Sequence, residues 1–316
     1  MLTIAFGPVP SRRLGKSLGV NNIPPKTCTY SCVYCQLGRT SVHIVERRTY
    51  YKPEDILKDV ERKVYEAIIR NEKIDYITFV PDGEPTLDVN IGKEISLLKR
   101  ARIPIAVITN ASLLWQEKVR EDLMNADLVS LKVDAVSENL WTAINRPHRS
   151  LRLNAILEGI RKFADTFNGT IISETMLIEA VKYNSEFLRI AEFLGSLNGL
   201  DKAYIAIPTR PPTEKWVRPA KEETLNSAFQ IFSKKLGSRK VELLIGYEGN
   251  AFAFTGNVKE DLLSITSVHP MREEAVTDFL RRAGAETHVL EDLLKNGELV
   301  EIEYEGRKYY MRKMRG

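Results

Sequence analysis

The chain has 316 residues, 43% hydrophobic and 28% charged, the balance of a soluble protein with room for about two domains at roughly 150 residues each. A net charge of +4 excludes a protein that coats polyanions over its whole surface, while leaving a local basic patch open. No stretch approaches the roughly 18 uninterrupted apolar residues of a membrane helix, and MLTIAFGPVPSRRLGKS lacks the pattern of a secretory signal, so the expectation is a cytoplasmic protein with no membrane partner.

In chain order, residues 10–52 come first, with eight basic residues (Arg12, Arg13, Lys16, Lys26, Arg39, Arg47, Arg48 and Lys52) against Glu46 alone. Such a run balances an anionic site or contacts phosphate. Apolar, β-branched runs then predict strands over 75–80, 103–108, 128–133, 170–178, 203–207 and 241–245. Helical periodicity predicts helices over 53–71, 89–101, 115–125, 137–145, 151–167, 184–196 and 220–236. Several strands are continuously apolar, as expected where helices cover a parallel sheet whose other face also packs. This predicts an α/β fold, a full or partial (β/α) TIM-type barrel over 1–256. Four prolines make 208–219 a stiff loop. From 257 to 316 the pattern changes to three short helices, over 261–268, 271–284 and 286–297. Two alternating runs around Glu305-Gly306 follow, a hairpin signal. The expectation is a small C-terminal winged-helix-like domain. From 258 onward it carries ten Lys and Arg against twelve Asp and Glu, which speaks against duplex binding and for substrate docking or packing.

All three cysteines, Cys28, Cys32 and Cys35, fall within eight residues. An odd number cannot close into intramolecular disulfides, in keeping with a reducing compartment. Spacings of four and three let one loop wrap three thiolates around a metal centre, and thiolates select zinc, copper(I) or iron-sulfur clusters. Either His43 completes a structural zinc site, or a four-iron cluster keeps one iron open.

CTYSCVYC, with Tyr34 directly before the last cysteine, resembles the C-x3-C-x2-C motif of the radical S-adenosylmethionine (SAM) superfamily. The resemblance runs roughly from residue 12 to 249. It implies a [4Fe-4S] cluster on Cys28, Cys32 and Cys35, with SAM on the open iron. Reductive cleavage of SAM then yields a 5′-deoxyadenosyl radical that abstracts hydrogen from substrate. Barrel enzymes place their chemistry at the carboxyl ends of the strands, and polar groups cluster there. Pro81-Asp82-Gly83-Glu84-Pro85 is similar to the superfamily's Gly-Gly-Glu-Pro motif, with Asp82 in place of the first glycine. The resemblance implies that Gly83, Glu84 and Pro85 hold the methionine ammonium of SAM. It assigns Thr109, Asn110, Lys132 and Asp134 to the ribose and carboxylate, a Lys132–Asp134 pair being the alternative for the lysine. Glu174, a charge inside an apolar strand, must face the barrel mouth or be paired, and is assigned to SAM or substrate. Arg210 suits an anionic substrate group or a plain surface loop. Tyr247 to Asn250 follow the last strand, and Asn145-Arg146-Pro147-His148 ends a helix.

The segments 6–15 and 79–87 resemble a radical SAM branch related to the wyosine-pathway enzymes, which rebuild a guanine next to a tRNA anticodon. A tRNA base is therefore the expected substrate, with a protein or peptide as the alternative and ferredoxin or flavodoxin as electron donor. A zinc- or cluster-containing SAM-sensing regulator is the reading of another class. It needs a basic recognition helix, whereas 286–294 carries three carboxylates and no Lys or Arg.

Overall fold

The computed structural model describes residues 4–246, 249–250 and 252–313; Tyr247 lies outside the described residues. The chain opens with an antiparallel hairpin, β1 (Ala5–Ser11) and β2 (Gly15–Val20), and a short pair, β3 (Thr27–Cys28) and β4 (Val42–His43). Alternation then sets in with α1 (Pro53–Ile69), β5 (Tyr76–Phe79), α2 (Ile91–Leu98), β6 (Ile105–Thr109), α3 (Glu117–Leu123) and β7 (Leu128–Lys132). It continues through α4 (Glu138–Asn145), α5 (Leu153–Thr166), β8 (Thr170–Met176), α6 (Glu186–Gly195), β9 (Leu200–Ala206), α7 (Glu222–Leu236) and β10 (Val241–Leu244). Every strand and helix expected between 53 and 245 is present, with ends shifted by a few residues.

The main sheet has the order β1-β2-β5-β6-β7-β8-β9-β10, parallel from β2 onward. Its edges β1 and β10 do not pair, so the full barrel admitted by the sequence does not form and the sheet stays open. Pro8 and Pro10 lack the N–H groups that a closing ladder would need, and proline in a sheet belongs at an edge. The sheet nevertheless curls far enough for Arg12, in the β1–β2 turn, to donate to the carbonyls of Leu244 (2.6 Å) and Gly246 (2.8 Å) at the end of β10. The hairpin was not foreseen, because Phe6-Gly7-Pro8-Val9-Pro10 reads as loop by its proline and glycine content.

Alternation along the strands separates two faces. Val107, Val129, Leu131, Ile171 and Ile205 join the helices in the main core, while Ala106, Leu128, Ile172, Tyr204 and Leu244 form a smaller concave cluster with Leu14. Along β7 the concave face runs Leu128, Ser130, Lys132, apolar where the strand begins and charged where it ends. A polar mouth thus sits above an apolar floor.

The C-terminal part consists of α8 (Val258–Val268), β11 (Met271–Arg272), α9 (Glu273–Ala283), α10 (His288–Lys295), β12 (Leu299–Tyr304) and β13 (Arg307–Arg312). Its sheet has the order β11-β13-β12. A separate winged-helix-like domain beginning at 257 is not supported. The apolar cluster that holds Phe252, Leu262, Met271 and Phe279 also contains Phe6 and Val9 of β1, and Ala253 N donates to Pro8 O at 2.9 Å. An uncovered strand edge invites pairing with another chain; here residues 252–253 and α8 cover it. Lys63 of α1, 1% exposed, adds a buried tie, its Nζ 3.1 Å from Asp261 Oδ1 and 2.7 Å from the Thr255 hydroxyl. Among the described residues no helix is long and apolar enough to cross a membrane.

Candidate metal centre

Cys28 ends β3, and the loop that carries Cys32 and Cys35 folds against the end of α4. Ser31 N donates to Asn145 O (3.0 Å), Val33 N to Ile144 O (2.9 Å) and Cys35 N to Cys32 O (3.1 Å). Two sulfurs already receive N–H groups: Tyr30 N and Asn110 Nδ2 each lie 3.5 Å from Cys28 Sγ, and Asn145 Nδ2 lies 3.5 Å from Cys32 Sγ. Amide donors of this kind tune the potential of iron-sulfur clusters. Burial, and next the Glu84 carboxylate, push the Cys28 thiol well up. Burial and then Asp134 push Cys32 up to about 12, and burial raises Cys35. The loop therefore holds thiols that ionise when a metal centre supplies the positive charge.

His43 does not complete this set. Its Nε2 is 2.9 Å from Thr29 O and its ring meets His148 edge-on, with centroids 5.3 Å apart. Among the described residues no three His, Cys, Asp or Glu side chains converge on one metal-ion position.

The residues assigned to SAM are brought together at the mouth, several of them as the frame of the cysteine loop. Gly83 lies so close to β3 that a Cβ would sit 1.8 Å from Thr27 O. Glu84, 1% exposed, accepts from Thr86 N (3.1 Å), Thr86 Oγ1 (2.5 Å), Thr109 Oγ1 (2.6 Å) and Asn110 N (2.7 Å). It clasps the loop after β5 to the loop after β6. Pro85 O accepts from Asn22 Nδ2 at 3.2 Å. Asp134 accepts from Tyr34 Oη, from Asn145 Nδ2 (2.7 Å) and from Met176 N (2.8 Å), and so fixes Tyr34 above the end of β7. Lys132 pairs with Glu174, lies 3.8 Å from Asp134, and has its ammonium 5.0 Å from the Tyr34 ring centroid. Arg13 is the second partner of Glu174. Burial would raise this carboxyl, but the Arg13 and Lys132 charges outweigh it and hold Glu174 at about 2.

Asp82 stands apart from this frame. It is 2% exposed, and its Oδ1 has no hydrogen-bond partner. Burial pushes its carboxyl up to about 8, against the opposing charges of Arg312 and Lys26. A buried acceptor without a donor is costly, and an ammonium group would satisfy it. The three-thiol donor set and this unfilled acceptor fit a [4Fe-4S] cluster with SAM beside it.

Behind the same loop, Asp88 and Glu94 are fully buried. Glu94 accepts from Asn22 Nδ2 at 3.2 Å and interacts electrostatically with Asp88. Burial first, then Asp88, push Glu94 up to about 9, and burial also raises Asp88. An unfolded glutamate releases its proton near pH ~4.3. The stabilisation is therefore full below that value and is lost as pH rises through about 9. Glu94→Gln keeps a donor for Asp88 without a titrating proton. Its melting temperature is expected to fall less than that of wild type between pH 6 and 9; equal slopes in thermal melts would show that the pair does not titrate there.

Half of the basic run of 10–52 is paired with carboxylates elsewhere in the chain. Arg13 meets Glu174, Lys16 Glu72, Arg39 Glu214 and Arg47 Asp122. Arg146 also reaches Glu214. Arg210 takes no part in the Glu84 and Asp134 hydrogen bonds but reaches the residue after Cys35, donating to Gln36 Oε1 (2.6 Å), and also donates to His269 Nε2. Burial, and next the Arg210 charge, lower the pKa of His269 well below the ordinary value, so its ring is a neutral acceptor. Asn145, Arg13, Thr29, Thr86 and His269 escaped the sequence reading as site residues. Asn145 carried one signal, its position as the last residue of a helix opposite the cysteine loop; the others depend on partners more than fifty residues away or on side chains with no motif.

The family described as "Radical SAM superfamily" matches residues 22–194. The UPF0026 protein MJ1312 of Methanocaldococcus jannaschii is 50% identical over 315 residues, 99% of this chain and 97% of that one. A UPF0026 protein of Helicobacter pylori is 32% identical over 71% of this chain and 72% of its own. Among solved structures, a radical SAM methyltransferase from Sphaerobacter thermophilus superposes with a TM-score of 0.55 at 14% identity, covering 73% of this chain and 66% of that one, a likeness of fold.

Proposed function

We propose that this chain, which belongs to the radical SAM superfamily, cleaves SAM reductively at a [4Fe-4S] cluster on Cys28, Cys32 and Cys35 and abstracts hydrogen from a substrate at the mouth of its sheet. The superfamily is an enzyme class whose members use this cluster and SAM. When bound, they supply an electron from a low-potential donor, such as ferredoxin or flavodoxin, and a 5′-deoxyadenosyl radical. The observation that carries the reading is the cysteine loop itself: three thiols, two already met by N–H donors at 3.5 Å, held where the strand ends converge. In this reading Cys28, Cys32 and Cys35 ligate iron, while Asn110 and Asn145 orient the sulfurs and lower their charge density. Glu84 and Asp134 keep the loops in register. Asp82 and the backbone around Gly83 and Pro85 face the methionine end of SAM, and Lys132 and Glu174 lie at the substrate side.

Anaerobic reconstitution with iron and sulfide, then dithionite and SAM, tests this by mass spectrometry of 5′-deoxyadenosine beside a metal assay. Cluster-dependent 5′-deoxyadenosine is expected. Stoichiometric zinc without cleavage would return the triplet to a structural role.

A tRNA base as substrate is supported by the basic run and by the wyosine-pathway likeness of 6–15 and 79–87. Internal pairing of four of the eight basic side chains leaves less charge for phosphate than the count implied. Phosphate contacts make affinity fall steeply with salt, so tRNA binding without salt dependence, or no binding, removes this substrate.

A further inference from the structure

We propose that the cavity on the concave face is the substrate site, that it takes a small molecule bearing a carboxylate or phosphate group, and that the C-terminal part forms its wall. The reaction at this site rests on the radical SAM reading; the binding is argued from the cavity itself. The cavity, of about 180 Å3, lies between the β1–β2 turn, the end of β5 and the loop after β9. Gln36 and Leu37 line it, and they directly follow Cys35, so a bound molecule sits beside the candidate metal centre.

Three arginines, Arg12, Arg13 and Arg210, line this space, and among the described lining residues there is no Asp or Glu. Guanidinium stays charged at any working pH, and its planar fork matches carboxylate and phosphate. Arg13 is balanced by Glu174, which pairs with it from β8. Arg12 directs Nη1 at two carbonyls, which leaves its Nε and Nη2 edge without a partner among the described residues. That edge is the bidentate one that Arg presents to an oxyanion. The remaining wall, with Val9, Leu14 and Ile108, suits a short carbon skeleton.

The C-terminal part builds the opposite side. His269, at the end of α8, lines the cavity and accepts from Arg210. Tyr304 Oη donates to Pro208 O (3.1 Å) and Tyr309 Oη to Thr209 O (2.9 Å). The loop that carries Arg210 is thereby held by two tyrosines of β12 and β13. This gives the acidic C-terminal segment a task in the same site.

The test is calorimetric titration of the full, anaerobically reconstituted chain with inorganic phosphate and with malonate, at ionic strength held constant with sodium chloride. Saturable binding of at least one anion is expected, about tenfold or more weaker in Arg12→Gln and in Arg210→Gln, as for the loss of a charge-assisted hydrogen bond. Arg39→Gln, on an exposed arginine outside the cavity, is expected to bind as wild type. A response to phosphate alone assigns a phosphate group, and a response to malonate alone a carboxylate. Binding no tighter than chloride, equal binding by the variants, or a response to bulk tRNA alone overturns the proposal. 5′-Deoxyadenosine formation, assayed on the same wild-type preparation, separates the two readings: Arg12-dependent anion binding without SAM cleavage sinks the radical chemistry and leaves this site standing.

Discussion

Cys32→Ala is expected to reduce 5′-deoxyadenosine formation to the level of a SAM-free control while leaving the fold intact. The sulfur lies in a half-buried loop whose backbone is tied to Asn145 O, Ile144 O and its own turn, so its removal costs little packing. In the proposed site it removes one of three iron ligands, and it leaves Asn145 Nδ2 without the sulfur that lies 3.5 Å from it. Iron content, the electron paramagnetic resonance of the reduced protein and product mass spectrometry read the effect, with circular dichroism as the check on folding. Cleavage retained at wild-type level would take the cysteine loop out of the mechanism. Asn145→Ala is a milder case. All three ligands remain, but Cys32 loses its donor, so a changed cluster potential is expected with near-normal iron loading.

The second large effect is on stability. Asp261→Ala leaves the Lys63 ammonium buried without its closest carboxylate, 3.1 Å away in the native protein. Thr255 and the more distant Glu66 (3.3 Å) remain as partial partners. Removing one member of a buried ion pair costs about 3–5 kcal/mol, which for a chain of this size lowers the melting temperature by about 10 °C. Because this pair joins α1 to α8, early melting should be confined to the C-terminal part and the strand edge it covers. Hydrogen exchange would show it as loss of protection in β1, α8 and β13. The double variant Lys63→Met with Asp261→Leu removes both charges together and is expected to recover most of the loss, since an apolar pair of similar volume replaces a buried ion pair at little cost. A shift of less than ~2 °C in Asp261→Ala would mean that the apolar cluster alone fastens the C-terminal part.

Between α1 and β10 the fold was legible because each element repeats one simple signal, apolar runs for strands with both faces covered and a 3.6-residue period for the helices between them. The β1–β2 hairpin was not legible. Its strand character comes from pairing with residues four to fifteen positions away and from packing against Phe252 and α8, while locally it is a proline- and glycine-rich stretch. The C-terminal part was read correctly in its helices and hairpin; the core it shares with Phe6 and Val9 leaves no trace in the local pattern. Glu84 and Asp134 were found by motif and strand position. That each accepts several hydrogen bonds from the protein follows from Thr86, Thr109, Tyr34 and Asn145, whose partnership a linear reading does not contain.

The sequence by itself placed three cysteines at spacings of four and three on one loop whatever the rest of the chain does, and the selectivity of thiolates for zinc, copper(I) or iron-sulfur clusters is a property of the ligand atom. It also determined the α/β alternation, which is local periodicity. Only the tertiary structure decided that the sheet stays open and that half of the basic run is matched by Glu174, Glu72, Glu214 and Asp122. It alone brought Arg12, Arg210 and His269 to one cavity. Those facts depend on which distant side chains meet, and the meeting is set by the curvature of the sheet and by the burial of β1 under the C-terminal helices.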